Sequence, residues 1–576
     1  MAHSSFVTGL PPTAGNAPEK TPKLMSRDDI EVMIAEGKHI TIFHNQVIKM
    51  DAWMPYHPGG DKAMLHLVGK DASDEIDALH SYGTRQHVLR YRIGRVEGTW
   101  ENLLPPIQGG VHRTREEIDR ANSEGDLNKD QDSSTPSTRV PSPVFDEDEA
   151  KGVRQRRGRG DKMKKDGARA SSISSASSVD EPEMDGMSYL DTITRQHINL
   201  DLDKYPPPDK ETQAKIASKY RELHQKVYDT GLYDCNYKAY GIEFLRYIAL
   251  AVGSAVCLQY EWYALSAFLL GALWHQLSFT VHDAGHMGIT HNYLIDSCIG
   301  ALIADFMGGL SIGWWKRNHN VHHVITNAPE HDPDIEHMPL FAVSHRLLGS
   351  LRSTYYERVM SYDAVAKVLL RVQAWTYYPL LSLARFNLYR LSWDFLLMGR
   401  GPKKGPALAI WWLEITGQVF FWTWFGYGLV YSMLPDNWTR FYFVMISNIT
   451  ASPLHVQIVL SHFAMSTVEL GPQESFPQRQ LRTTMDIDCP EWLDFFHGGL
   501  QFQVIHHLFP RVPRHNLRAT QKLVQEFCNE VNIPYALYGF ANGNQQVIGR
   551  LAEVSRQAAI LSKCQQSIQN GDLSHH

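Results

Sequence analysis

Eight histidines fall into groups whose spacing suits metal ligation. His282-Asp283-Ala284-Gly285-His286 places two imidazoles at i, i+4, one turn apart on a single helix face. His319-xx-His322-His323 repeats the relation at i+3 and i+4, and Gln503-xx-His506-His507 does so with glutamine in the leading position. His462, in Leu460-Ser461-His462-Phe463, is the eighth. Any one group alone is also explained as the polar end of a helix. Three groups, each beside an apolar segment, argue for convergence on one site. Nitrogen-rich sites suit iron, zinc or copper. Zinc is satisfied by three or four ligands, so a supply this large points to two metals.

A second constellation lies near the N-terminus. In His57-Pro58-Gly59-Gly60 a histidine sits on a tight turn whose glycines allow unusual backbone angles and close approach of a flat cofactor. A second axial ligand must come from another element, and His80, at the end of Gly69-Lys70-Asp71-Ala72 through Leu79, is the candidate. Two imidazoles saturate a haem iron and leave no position for oxygen, which suits electron transfer. A redox module beside a many-histidine site makes a pair of irons the best reading of the latter.

These residues must be held by at least two folded units, since 576 residues exceed one ordinary domain. Residues 1–25 read as a disordered N-terminus and 26–100 as a small α+β domain, with a helix start at Ser26-Arg27-Asp28-Asp29 and short strands Ile40-Thr41-Ile42 and Gln46-Val47-Ile48 around a turn at His44-Asn45. Residues 101–190 read as a disordered linker: acidic first, then basic from Arg154 to Lys165, then serine-rich from Ser171 to Ser178. Residues 191–545 form an all-α membrane domain, and 546–576 a C-terminal tail.

The mean hydropathy of −0.30 conceals this division, because the polar N-terminal third dilutes strongly apolar segments. Those run from Phe244 to Tyr260, Trp262 to Val281, about Ala407 to Leu434 and about Phe441 to Met465, each near the length of a bilayer crossing. Segments around Val365 to Met398 carry Lys367, Arg371, Arg385 and Arg390, the mark of interfacial helices.

If the histidine groups share one site, an even number of crossings must separate them. Two crossings before His282 and two between Gly405 and His462 meet that condition, provided Tyr293 to Trp315 stays on one side or is re-entrant. Lys316, Arg317, Arg385, Arg400, Lys403 and Lys404 fall on the histidine side, which marks it as cytosolic. No cleaved signal peptide is visible. A net charge of −6 gives no sign of nucleic-acid binding, and six scattered cysteines suggest neither a disulfide framework nor a zinc site.

The HPGG turn and Gly-Lys-Asp-Ala…His make residues from about Ser26 to Gly98 similar to the cytochrome b5 domain. The resemblance makes His57 and His80 axial ligands of haem b, and leaves His39, His44 and His66 outside the ligand set. HDxGH, HxxHH and QxxHH resemble the boxes of the membrane fatty acid desaturase superfamily, from about Ile242 to Tyr538. A glutamine-led third box with an N-terminal cytochrome b5 domain is similar to its front-end branch. The run Thr326-Asn327-Ala328-Pro329-Glu330-His331-Asp332-Pro333-Asp334-Ile335-Glu336-His337 resembles the fungal sphingolipid Δ8-desaturases.

What the resemblance implies is an oxidoreductase of the endoplasmic reticulum membrane. Electrons would pass from NADH through a separate cytochrome b5 reductase to the haem and then to a di-iron centre. With O2 as co-substrate, that centre would desaturate the long-chain base of ceramide at the 8,9 position. Its metal ligands would be His282, His286, His319, His322, His323, His462, His506 and His507, with Gln503 close to the metals. The third box departs from the usual QIEHH by carrying Val504-Ile505, which leaves the ligand positions intact but alters their surroundings. His275 and His455 read as buried polar partners, and His331 and His337, near Asp332 and Asp334, as contacts for a lipid head group. Trp411-Trp412 and Phe420-Phe421-Trp422 either line a channel for the chain or face lipid. The alternatives are a front-end acyl-lipid desaturase of Δ6 or Δ5 type, a haem electron carrier whose C-terminal part is only an anchor, and a cytochrome b5-fused lipid hydroxylase.

Overall fold

The computed structural model describes residues 22–110, 112, 186–402 and 404–569. Most of the expected N-terminal segment, the basic and serine-rich runs and Lys403 lie outside the described residues.

The N-terminal unit is α+β. Helix Arg27–Ala35 opens on a capping box: Ser26 Oγ accepts from Asp29 N, and the Asp29 carboxylate accepts from Ser26 N, both at 3.2 Å. Strands β1 (Leu24–Met25), β2 (Ile40–Phe43), β3 (Gln46–Lys49) and β4 (Arg92–Val96) form one sheet in the order β1-β4-β3-β2, parallel only between β1 and β4. The β2–β3 hairpin turns at His44 and Asn45, both at positive φ, as a two-residue turn following the strand twist requires. Short helices Asp61–Leu65, Ser73–Leu79 and Tyr82–Val88 complete the unit.

The second unit is helical. Tyr237–Gln259, Tyr263–Gly285 and Asn437–Leu460 are each long and apolar enough to cross a membrane. A further apolar helix, Pro406–Phe421, passes directly into a π-helical stretch, Trp422–Met433. Tyr293–Met307 and Ile312–Val324 are bent against each other by 117°. Broken backbone at this depth must find partners within the protein. Arg385 Nη2 donates to Gly308 O at 2.7 Å, Asp305 Oδ2 accepts from Ile312 N at 3.3 Å, and Glu414 Oε2 accepts from Ser311 Oγ at 2.5 Å and Gly313 N at 3.0 Å.

Arg385 therefore corrects an expectation. It does not face the interface but is buried, stacked on Trp274 at 4.6 Å, because the break in the helix supplies a carbonyl that needs a donor. The C-terminus differs too. Phe540–Gln569 is one helix rather than a tail from 546, and Val547, Leu551, Val554, Ala558 and Leu561 are buried along one face. That stripe is sparse in an otherwise polar segment, so its helical period is weak in composition but sufficient for packing.

The two units share a core. Val321, Val324, Ile325 and Ala328, behind the HxxHH group, pack in the same cluster as Ile30, Ile42, Val47 and Val68 of the N-terminal unit.

Candidate metal centre and haem site

Four separate segments deliver the imidazoles. His282 and His286 come from the end of Tyr263–Gly285, and His319, His322 and His323 from Ile312–Val324. His506 and His507 lie on the short helix Gln503–Leu508, and His462 follows the last apolar helix. Ligand nitrogens of His282, His286, His319 and His506 lie within 4.8 Å of one another, as do those of His322, His462 and His507.

His323 joins the two sets. Its Nε2 is 3.1 Å from both His319 Nε2 and His506 Nε2, and its ring centroid is 4.3 Å from that of His507. Gln503 is buried one turn before His506, and among the described residues it makes no hydrogen bond to an imidazole.

The donor set fits metal. His282 Nε2, His286 Nε2, His323 Nδ1, His462 Nδ1 and His507 Nε2 are buried without a hydrogen-bond partner. Buried polar atoms are ordinarily paired, and so many orphaned ring nitrogens in one place suit a shared shell of metal ligands. Burial, then neighbouring imidazoles, hold His462, His506 and His507 well below the ordinary histidine value. They are thus neutral, as ligands must be.

The rings are fixed from outside. His322 Nδ1 donates to Asp332 Oδ2 at 2.8 Å, and Asp332 also accepts from Asn327 N at 2.7 Å. Asp334 lies 3.7 Å from His319 Nδ1 and is held by Asn318 Nδ2. His507 Nδ1 donates to Gln480 Oε1 at 2.9 Å, while Gln480 Nε2 donates to His323 O at 2.8 Å. Trp315 stacks on His319 at 4.4 Å and meets His282 and His286 edge-on. A side chain at Gly285 would collide with that indole, its Cβ lying 2.1 Å from the ring, so the HDxGH glycine makes room for the wall of the site.

These supports revise the expectation for the run from Thr326 to His337. Asp332 and Asp334 turn inward to the imidazoles because bare ring N–H groups need acceptors there. His331 packs against His66 of the N-terminal unit at 5.3 Å, and His337 against Phe463 at 5.8 Å. Trp315 and Gln480 carried no signal in the sequence; Gln480 lies in none of the motifs.

His57 and His80 face each other with ring centroids 6.0 Å apart. Two metal–nitrogen bonds of about 2 Å plus two ring radii come to about the same length. Each ring is oriented by backbone: His57 Nδ1 donates to Gly60 O at 2.7 Å and His80 Nδ1 to Ile76 O at 3.2 Å, which leaves both Nε2 lone pairs for an axial role. Burial lowers both pKa values, that of His80 to about 3, so both rings are neutral. The residues present therefore fit a bis-imidazole haem.

The turn carrying His57 is seated on the helix carrying His319. Gly59 leaves no room for a Cβ beside Asn320, and Arg317 Nη2 donates to Asp61 Oδ1 at 2.8 Å. On the other side, Arg511, just past the third box, donates to His80 O at 3.2 Å.

A family model described as fatty acid desaturase matches residues 260–539, and one described as cytochrome b5-like haem/steroid binding domain matches 26–97. A protein of Emericella nidulans named Delta 8-(E)-sphingolipid desaturase is 55% identical over 559 residues, covering 96% of this chain and 98% of that protein. The chain belongs to the fatty acid desaturase family. One of the same name from Komagataella phaffii is 46% identical over 545 residues, covering 95% and 96%. Delta(8)-fatty-acid desaturase 2 of Arabidopsis thaliana is 37% identical over 349 residues, covering 60% of this desaturase and 76% of its own length. The enzyme is an oxidoreductase with a fused cytochrome b5 domain, and its family and apolar helices place it at a membrane.

Proposed function

We propose that this desaturase introduces a trans double bond between carbons 8 and 9 of the sphingoid base of a ceramide. The observation that carries the reading is the meeting of eight imidazoles in two sets joined by His323, against the helix on which the His57 turn is seated. The names of the Emericella and Komagataella relatives support the substrate, the position and the geometry.

His57 and His80 hold haem b. His282, His286, His319 and His506 serve one iron, His322, His462 and His507 the other, and His323 lies between them, with Gln503 near the metals. Two irons bound there supply the oxygen-activating redox chemistry that no side chain of this chain offers. The stoichiometry is one O2, two electrons and two protons. Two hydrogens leave adjacent methylenes, a carbon–carbon double bond forms, and two waters are released.

The chain's own residues set the conditions. Asp332 and Gln480 hold His322 and His507 in the tautomers that aim Nε2 at the metals, and Trp315 walls the site. Asn320 and Arg317 keep the haem turn against the ligand helix.

A separate NADH-dependent cytochrome b5 reductase supplies the electrons. The protein is multi-pass in the endoplasmic reticulum membrane with the haem and metal sites on the cytosolic side, a reading that the positive charge of Lys316, Arg317, Arg400 and Lys404 on the histidine side supports. Residues 26–100 act as the electron carrier and 191–545 as the desaturase proper.

The test is lipid analysis after expression in a host lacking sphingoid 8-desaturation. A new trans-8 base is expected from the parent and none from His57→Ala or His323→Ala. A new polyunsaturated fatty acid without such a base would instead make the chain an acyl-lipid desaturase.

A further inference from the structure

A cavity of about 390 Å³ opens between the His57 turn and the start of the Pro406–Met433 helix. Pro58 and Asp61 wall it on one side, and Ile312, Lys316, Trp411 and Glu414 on the other. Of the two facing rings His57 lines it and His80 does not, so the cavity abuts the haem turn rather than filling the slot between the rings. Lys316 lies one helical turn before His319, a rise of about 4.5 Å, so the cavity adjoins the metal centre. Leu294, Ile295 and Trp412, on its framing helices, are exposed apolar side chains of the kind that meet lipid.

Its polar groups have unmet needs of two opposite kinds. Trp411 Nε1 is a buried donor with no acceptor. Glu414 is 2% exposed, and its Oε2 takes the hydrogen bonds from Ser311 and Gly313, while its Oε1 accepts none among the described residues. Lys316 Nζ, also buried, donates to Ser297 Oγ at 3.1 Å and keeps further donor capacity. A ligand matching this set must offer an acceptor and a donor close together. An acyl ester or thioester offers acceptors only, whereas the amide and hydroxyl of a sphingoid lipid offer both.

We propose that this cavity holds the polar end of the sphingoid lipid, its hydroxyl donating to Glu414 Oε1 and its amide carbonyl accepting from Trp411 Nε1. The assignment rests on the function proposed above and deepens it. Anchoring the head group one helical turn from His319 presents methylenes close to that end to the metals.

The full-length protein in membranes is assayed with ceramide and with 3-deoxyceramide. Removing the hydroxyl should raise the parent's KM about ten-fold, and Glu414→Gln should cut that discrimination to under about two-fold. Trp411→Phe, which keeps the ring and spares the Ser311 and Gly313 contacts, should raise KM for ceramide about five-fold with kcat little changed. Desaturation of both lipids by the parent at equal KM overturns the assignment while the proposed function stands. So does a Trp411→Phe variant with unchanged KM and a shifted haem spectrum, which would give the cavity to the haem edge. A parent that makes no 8,9 product removes the function and this assignment together.

Discussion

The haem site and the metal centre are both built of largely buried imidazoles, yet they are held by opposite means. His57 and His80 take their orientation from carbonyls of their own turns, Gly60 and Ile76. The rings of the metal centre take theirs from side chains distant in sequence: Gln480 fixes His507, and Asp332 fixes His322 across a loop. A local site is specified by a short motif and tolerates damage elsewhere. A site assembled from four segments has no such independence, and each ring depends on the packing of helices that carry the others.

The sharpest test of that contrast is a pair of substitutions. His323→Ala removes the ring whose Nε2 reaches His319 and His506 of one set while its face stacks on His507 of the other, so desaturation should be lost and non-haem iron depleted while the haem absorption stays intact. His57→Ala should give the reverse, loss of the haem band with iron retained, and equally no product. Loss of haem from His323→Ala would show the two sites to be a single folding unit. Asp332→Asn comes next in size. It keeps the shape but weakens the hold on His322, and a ten- to hundred-fold fall in iron affinity is expected, read by titration with a chelator.

The same contrast explains what was legible in the sequence. The b5-like unit could be read almost element by element, because the Ser26 cap, the His44-Asn45 turn and the HPGG turn each act through neighbours a few residues away. The grouping of the histidines was legible for a related reason, since i, i+4 spacing is a local signature of one helix face. Their supports were not. Gln480 lies far from any box, and nothing in its neighbours says that it will reach both His507 and His323. Asp332 and Asp334 were read only as neighbours of His331 and His337, because only tertiary packing reveals that His322 and His319 need acceptors. Arg385 was misplaced likewise: an arginine among apolar residues reads as interfacial until the break at Gly308 supplies its carbonyl.

Two contacts between the domains extend the contrast to the junction through which electrons must pass. Arg317 pairs with Asp61 and also donates to Arg400 O at 2.7 Å, and it is largely buried beside the His57 turn. Arg317→Met should slow reduction of the metal centre by the haem about ten-fold in stopped-flow spectra, with haem content and potential unchanged.

Lys62 pairs with Glu357 across the same junction, but that carboxylate is 69% exposed. An ion pair open to water contributes about 0–1 kcal/mol and is screened by salt. Lys62→Met should therefore change the same rate less than about two-fold, and that difference should vanish as ionic strength rises. An equal effect from both substitutions would mean that the long-range field of the junction, rather than the seat of the His57 turn on the ligand helix, governs how the haem is held against the metals.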